Sequence, residues 1–398
     1  MTITFKLRTV SLSLLSAMVV TACGGGDGDA DMPTITPYKT ELFTGKVVAD
    51  HTNCNYTDAP LATASYGNLS KIIVKNNVQY ILNSSENCTG KFDDWSNVLK
   101  VQNNKAEEFI PLRVGGLVIT GSHHINPQHP SGFYQSNRGE NLVLGYAAAS
   151  SDKGFVLDDE LVAEFDKDRD GWKGWFDFSP GLFNYWREDN YYGEVGGPMV
   201  AGAPVTPTLV DGQGLDARFY APHDLEANAA GLLYLIDNKR LRTIDQDFRV
   251  KTLDLATLGI TGTPKTLDAD QAGVVHALAQ TGAGAYTWHR LSDGRKVAFK
   301  LPNAPTGETV ETFTVVGDEL LVAVRQAVAG SNASWLYRVN AKGGVARLTS
   351  TESLALPGTA ANSTPSYVFP RVQHLEQGVD GYLYIVLEQG ILRVKGYK

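Results

Sequence analysis

Strand-length runs separated by glycine-rich turns recur along the chain, the central stretch 205–245 fits no helical period, and 40 glycines punctuate 398 residues. These observations predict an all-β fold closed on itself as a β-propeller. At 43% hydrophobic content the chain can bury large cores, and about six blades fill its length, with seven as the alternative.

Residues 1–22 precede that fold. Lys6 and Arg8 form a basic start, Val10 to Val20 an apolar stretch too short to span a membrane stably, and Thr21-Ala22 the small residues before Cys23. Val20-Thr-Ala-Cys23 resembles the bacterial lipobox, which implies a lipidated Cys23 as the new N-terminus. An ordinary cleaved signal with a chance cysteine is the alternative. Acyl chains, at about 0.8 kcal/mol per buried CH2, would hold the chain on a membrane. Gly24, rather than Asp, implies an outer-membrane lipoprotein facing the periplasm or the cell surface. Residues 23–37 read as the lipidated cysteine and a flexible tether, which leaves 38–398 for the propeller.

Removal of the signal takes Lys6 and Arg8 but no acid from a chain of formal charge -8, so the mature protein is more acidic still. An acidic surface without a basic cluster argues against nucleic acid as a partner. Cys54 and Cys88 remain as a pair in an oxidising compartment. They predict a disulfide closing about 35 residues and contributing about 3.5 to 4 kcal/mol in the chain-entropy model. A metal-binding thiol pair is the alternative, without the usual Cys-x-x-Cys spacing or nearby histidines.

The blades are phased as an inner strand, a turn and an apolar second strand. Leu69 to Val74 and Val78 to Leu82, with Asn97 to Val101 third, make the first; Phe133 to Ser136 and Asn141 to Gly145 make the second. The third lies within 205–245, where Asp224-Leu-Glu-Ala alternates, Asn228 to Gly231 is turn chemistry, and Leu232 to Ile236 is a short apolar run. Pro264 to Asp268 with Gly273 to Leu278 is the fourth, and Glu311 to Val316 with Glu319 to Val324 the fifth. The sixth is Phe369 to Glu376, Asp380 to Val386 and Gly390 to Val394.

The third blade carries a family resemblance. Its Asp211-Gly turn, Ala217-Arg-Phe219, Pro222 opening the innermost strand, Gly231-Leu-Leu-Tyr234 and Leu241-Arg-Thr-Ile244 resemble one NHL repeat. The resemblance implies an NHL-like propeller, close over this blade and loose over the others.

An insertion at about 165–200 interrupts the pattern. Asp166, Asp168 and Asp170, followed by Gly171 and by Asp177 at the twelfth place, match a calcium-loop spacing in which alternate carboxylates converge on one ion. An acid of the shorter kind at the last place resembles dockerin-type loops. A solvated Asp-rich hairpin turn is the alternative. Behind it run Trp172, Trp175, Tyr185 and Trp186 among other aromatics, either a platform for a protein or glycan ligand or the small core that orders a long loop.

Enzymatic signatures are sparse. No Gly-x-Ser-x-Gly, His-Glu-x-x-His or phosphate-loop lysine motif occurs, and Gly212 to Ala217 leads into Pro222 and an extended pattern where a dinucleotide fingerprint needs a helix. Pro222-His223-Asp224 resembles the Pro-His-Asp of peptidyl-α-hydroxyglycine lyases, whose zinc is held by histidines of three blades. Aligning Gly231 with Gly273 and Gly381 gives His223 the partners Lys265 and Gln373, with Glu311 in the fifth blade, and leaves His374 one step off. His123, His124 and His129 read as a loop cluster among prolines. By the same alignment Glu226, Asp268 and Glu376 share one inner-strand place, resembling the calcium-holding axis of gluconolactonase-like propellers, though the ring is incomplete. The expected protein is a membrane-anchored binding or scaffolding module of the cell envelope for a protein or glycan, with calcium as the conceivable cofactor. A metal-dependent lyase or hydrolase working at the central channel is the alternative.

Overall fold

The computed structural model describes residues 40–47, 59–75, 77–84, 96–112, 209–213, 216–220, 222–245, 249–302, 309–325, 333–348 and 369–397, and six strands between 123 and 202. The backbone alone is described for those six strands and at 75, 96–98 and 108–112. All fall in the unit Asp31–Lys398, and among them there is no α-helix.

The fold is an all-β propeller, and five blades are described with their side chains. From inner to outer strand, blade one is Asn68–Lys75, Val78–Ser84, Ser96–Gln102, Lys105–Leu112 and Ala59–Pro60. Blade three is Pro222–Ala227, Leu233–Asp237, Arg240–Ile244, Arg249–Thr252 and Gly212–Gln213. Blade four is Thr263–Ala269, Val275–Gly282, Ala285–Arg290 and Lys296–Lys300. Blade five is Thr309–Val316, Glu319–Arg325, Ala333–Val339 and Val345–Arg347, with Phe369–Pro370 bridged to its third strand. The last blade is Val372–Gln377, Tyr382–Leu387 and Gly390–Lys395, and its outermost strand is Thr40–Gly45 from the start of the chain, paired from Thr40 opposite Val394 to Gly45 opposite Gly390 with a register shift between Leu42 and Thr44.

Consecutive inner strands of blades three, four, five and last lie side by side, and the last returns beside Asn68–Lys75. Against the expected six or seven blades, five are described with their side chains. Between blades one and three the backbone forms a further sheet of His123–Ile125, Gly132–Asn137, Leu142–Ala147 and Met199–Gly202, whose first strand lies beside Asn68–Lys75 and Pro222–Ala227. Two expectations are corrected there. The segment 132–137 is a second strand rather than an inner one, and His123 and His124 belong to the first strand rather than to a loop, because the sheet extends one strand further toward the start of the chain.

Burial explains why these runs are strands. One residue of each described inner strand, Ile72, Leu225, Leu267, Phe313 and Leu375, is at most 3% exposed and enters an apolar cluster beside its blade. Each such side chain contributes about 1.5 to 3 kcal/mol by leaving water. Second strands such as Leu320 to Val324 and Leu383 to Leu387 are buried on both faces, hence their unbroken apolar runs. Turns follow the expected chemistry: Asn228 Oδ1 accepts from the Ala230 and Leu232 amides, and Asp270 Oδ1 from those of Ala272 and Val274. Gly273, at φ 71°, lets the two turns meet; a Cβ there would lie 2.8 Å from the Ala229 amide, whose N–H donates to the Gly273 carbonyl.

Candidate functional site at the propeller axis

A bulge in the inner strand of each of the five blades described with their side chains builds the site. Pairing with the second strand shifts register between Leu69 and Lys71, His223 and Glu226, Pro264 and Thr266, Val310 and Thr312, and Val372 and His374. Counting from the shift gives two equivalent tiers on either side of the apolar residue that enters the core. One holds Lys71, Asp224, Thr266, Thr312 and His374; the other holds Ile73, Glu226, Asp268, Thr314 and Glu376. Alternation along a strand sends both tiers to the face opposite the core residue, toward the axis.

Glu226, Asp268 and Glu376 therefore meet as their spacing predicts. His374, expected on the far face of its strand, joins them because it stands two residues before Glu376, past the bulge, so alternation puts both on one face. Its Nε2 lies 3.5 Å from Glu376 Oε2. Lys71, 6% exposed, donates to the 4% exposed Glu226 in a close ion pair between residues far apart in sequence.

Electrostatics make the cluster tolerable in a buried place. Burial pulls the Lys71 ammonium down, but the Glu226 carboxylate outweighs it and holds it above its ordinary value. Burial, then the Glu376 and Glu226 carboxylates, push Asp268 well above the ordinary carboxyl range. Glu376 is raised by burial to about 8, and His374 is lowered by burial, assisted by Lys71, to about 3. Near neutral pH Glu376 holds its proton, His374 is uncharged, and Lys71 neutralises Glu226.

The acids also stitch one blade to the next. Asp224 Oδ2 accepts from the Leu267 amide at 2.6 Å, and Asp268 Oδ2 from the Val315 amide at 3.1 Å. Glu376 accepts from the Val74 amide across the closure. An inner strand has backbone N–H groups facing its neighbour and needs acceptors for them. Asp224 takes φ 57°, a conformation uncommon outside glycine, asparagine and aspartate, to make its bond.

The remaining expected residues are distributed as follows. His223 is half-buried at the bulge of its strand, next to Asp224, whose carboxyl is pushed above its ordinary value by burial. Its counterparts are Lys265, Glu311 and Gln373, so among the described residues these positions assemble no histidine set suited to zinc. Nor do the acids fit calcium: the Lys71 ammonium already serves Glu226, and Asp268 and Glu376 are bound to backbone amides. Among the described residues no group of three or more His, Cys, Asp or Glu is arranged to hold a metal ion. Cys23, Cys54, Cys88, Asp166, Asp168, Asp170 and Trp172 lie outside the described residues. Asp177, Trp175, Tyr185 and Trp186 lie on a two-stranded hairpin, Gly174–Ser179 with Leu182–Arg187, in which Trp175 is opposite Trp186 and Phe176 opposite Tyr185.

No family model matches the chain, and no curated protein matches it. Solved structures similar to it include a protein of unknown function from Bacteroides thetaiotaomicron, at 12% identity and TM-score 0.48 over 89% of this chain and 75% of that one. An auxiliary nutrient binding protein from the same organism is similar at 9% identity and TM-score 0.46, over 89% and 75%. A catalytically inactive virginiamycin B lyase from Staphylococcus aureus, with quinupristin, is similar at 10% identity and TM-score 0.41, over 89% and 99%. None of these likenesses carries a function to this chain, and the propeller is established by its own strand order.

Proposed function

We propose that this chain is a binding or scaffolding module for a protein or glycan, built on an NHL-like propeller whose sixth blade is the sheet of His123–Ile125 to Met199–Gly202. The observation that carries the reading is the use of the axial acids. An axial metal enzyme needs carboxylates or imidazoles free to coordinate, whereas here Asp224, Asp268 and Glu376 join blades and Lys71 supplies the cation. The axis is then a rigid hub and recognition belongs to the periphery, where the hairpin carrying Trp175, Tyr185 and Trp186 is the proposed platform. The proposal includes lipid anchoring through Cys23 at the outer membrane, a Cys54–Cys88 disulfide, and a calcium loop at Asp166, Asp168, Asp170 and Asp177.

Plasma mass spectrometry of the chain purified without chelator, with melting curves before and after EDTA, tests the reading. The expected result is calcium as the only stoichiometric metal, with a lowered melting temperature after chelation and restoration by calcium alone. A stoichiometric transition metal lost on substituting His223 or Glu226 would overturn it in favour of a metal-dependent lyase or hydrolase at the channel.

A further inference from the structure

A cavity of about 210 Å³ lies off the axis between blades four and five. Trp288, Val297 and Val315 form its apolar part, with Asp270, His276, Arg290, Arg295 and Asp318 as its polar lining. The hydrogen-bonding state of each polar group indicates what it can take. Trp288 Nε1–H donates to His276 Nδ1 at 2.9 Å, so that nitrogen carries the lone pair and the proton sits on Nε2. Nε2–H in turn donates to Asp270 Oδ2 at 3.1 Å, while Asp270 Oδ1 accepts the Ala272 and Val274 amides. His276 thus has both ring nitrogens engaged, and the Asp270 carboxylate is held by three donors.

The two guanidinium groups are held less firmly. Arg290 Nη1 stands 3.7 Å from Asp293 Oδ2, and Arg295 Nη1 3.6 Å from Asp318 Oδ1, both longer than a hydrogen bond. Arg290 Nε is buried with no hydrogen-bond partner among the described residues. That atom is out of reach of a cavity ligand, but the Arg290 and Arg295 side chains are 36% and 41% exposed, so their guanidinium groups remain open to one. Asp318 is 83% exposed at the rim, where water screens its charge.

We infer that this cavity is a binding site for a small organic carboxylate, held by Arg290 and Arg295 with its apolar part against Trp288, Val297 and Val315. A guanidinium pairs with the two oxygens of a carboxylate through parallel N–H bonds, which suits this geometry better than a compact ammonium would. The volume limits the ligand to about the size of one sugar acid or amino acid. The inference deepens the binding-module reading and rests on it only for the general role; the cavity lining shares no residue with the aromatic hairpin.

Isothermal titration of the full-length chain with D-glucuronate, D-glucose and inorganic phosphate tests it. Glucuronate is expected to saturate one site, glucose to give no heat, and phosphate to bind more weakly than glucuronate. Arg290→Met and Arg295→Met should each weaken glucuronate at least tenfold, while Asp318→Asn leaves it unchanged or tighter. Arg295 is exposed, so its variant folds even where Arg290→Met does not, and matching melting curves establish this. No saturable glucuronate binding, equal binding of glucose, tighter binding of phosphate, or unchanged affinity in the Arg295 variant would each overturn the inference. Those failures leave the metal analysis untouched, so the two readings fall separately.

Discussion

His374 and Glu376 face each other on one strand and depart from their ordinary titration in opposite directions, which gives the protein a predictable stability profile. His374 has an ordinary value of 6.5 and a folded value of about 3. As pH falls through that interval the unfolded chain takes up a proton that the folded chain refuses, so stability is lost on acidification. Glu376 has an ordinary value of 4.5 and a folded value of about 8. As pH rises through that interval the unfolded chain releases a proton that the folded chain keeps, so stability is lost on alkalinisation. Between 4.5 and 6.5 these two slopes oppose each other. Asp268, also raised by burial, adds to the loss on alkalinisation. The urea midpoint should therefore fall toward 3, and fall toward 8 by more than Glu376 alone requires. Glu376→Gln should lessen the alkaline fall and His374→Asn the acidic one; an alkaline slope unchanged in Glu376→Gln would show that Glu376 does not contribute to it. The three acids Glu226, Asp268 and Glu376 were legible in the sequence because each stands at a fixed distance before a turn glycine. The role of Lys71 was not, since a pairing across blades leaves no mark in local spacing, and the face of His374 was missed although it stands two residues before Glu376.

Blade three shows the same limit at the level of an element. Its strands follow directly from alternation, a turn asparagine and a short apolar run, whereas the clamp that holds them together was hidden. Arg242, 0% exposed, donates to Asp237 Oδ2 at 2.9 Å, Asp211 Oδ1 at 3.0 Å and the carbonyls of Val210 and Arg218, with its guanidinium 4.7 Å from the centre of the Phe219 ring. The glycine-rich turn, Ala217-Arg-Phe219 and the third strand are parts of one motif because this side chain joins them. Burial pushes the Asp211 carboxyl up, but the Thr252 amide and hydroxyl and then Arg242 outweigh it and hold it below its ordinary value. Arg242→Met would take its arginine counter-ion from Asp237, itself 0% exposed, at a cost of about 3 to 5 kcal/mol. Asp211→Asn removes a carboxylate that is 47% exposed and should cost below about 1 kcal/mol. Urea unfolding of the two variants checks the ratio, and a loss in Arg242→Met no larger than in Asp211→Asn would remove the clamp from the account. The first strand of the neighbouring sheet escaped notice for another reason: His123–Ile125 is three residues long, too short to show a period.

At the scale of the whole molecule the decisive contact is the one that closes the ring. Thr40–Gly45 is the outermost strand of the last blade, so the beginning and end of the propeller are held by one antiparallel pair. Thr44 reaches inward, bonding the Leu61 carbonyl at 2.8 Å and the Tyr66 hydroxyl at 2.7 Å, and Phe43 packs edge-on against Tyr384 at 5.5 Å. The first and last blades are thus fastened by side chains as well as by the ladder. At Gly45 and Gly390 the backbones come so close that a Cβ on Gly390 would lie 2.3 Å from the Lys46 carbonyl. None of this was read from the sequence: the strand contributes one turn of alternation beside a polar, glycine-rich tether, and its partner lies at the other end of the chain. Two shortened chains separate closure from anchoring. A chain beginning at Tyr38 lacks the proposed lipidated cysteine and tether but keeps the strand; it should leave the membrane fraction and melt as the full chain does. A chain beginning at Lys46 loses the strand and exposes the edge of Gly390–Lys395, where Ile391, Leu392 and Val394 are now fully buried. Loss of those contacts is worth several kcal/mol, which should lower the melting temperature by more than about 5 °C and promote association through the open edge. Thermal melting and light scattering of both chains decide the matter. Equal melting of the two would mean that the ring holds without its first strand, and a Tyr38 chain that still pelleted with membranes would remove Cys23 as the anchor.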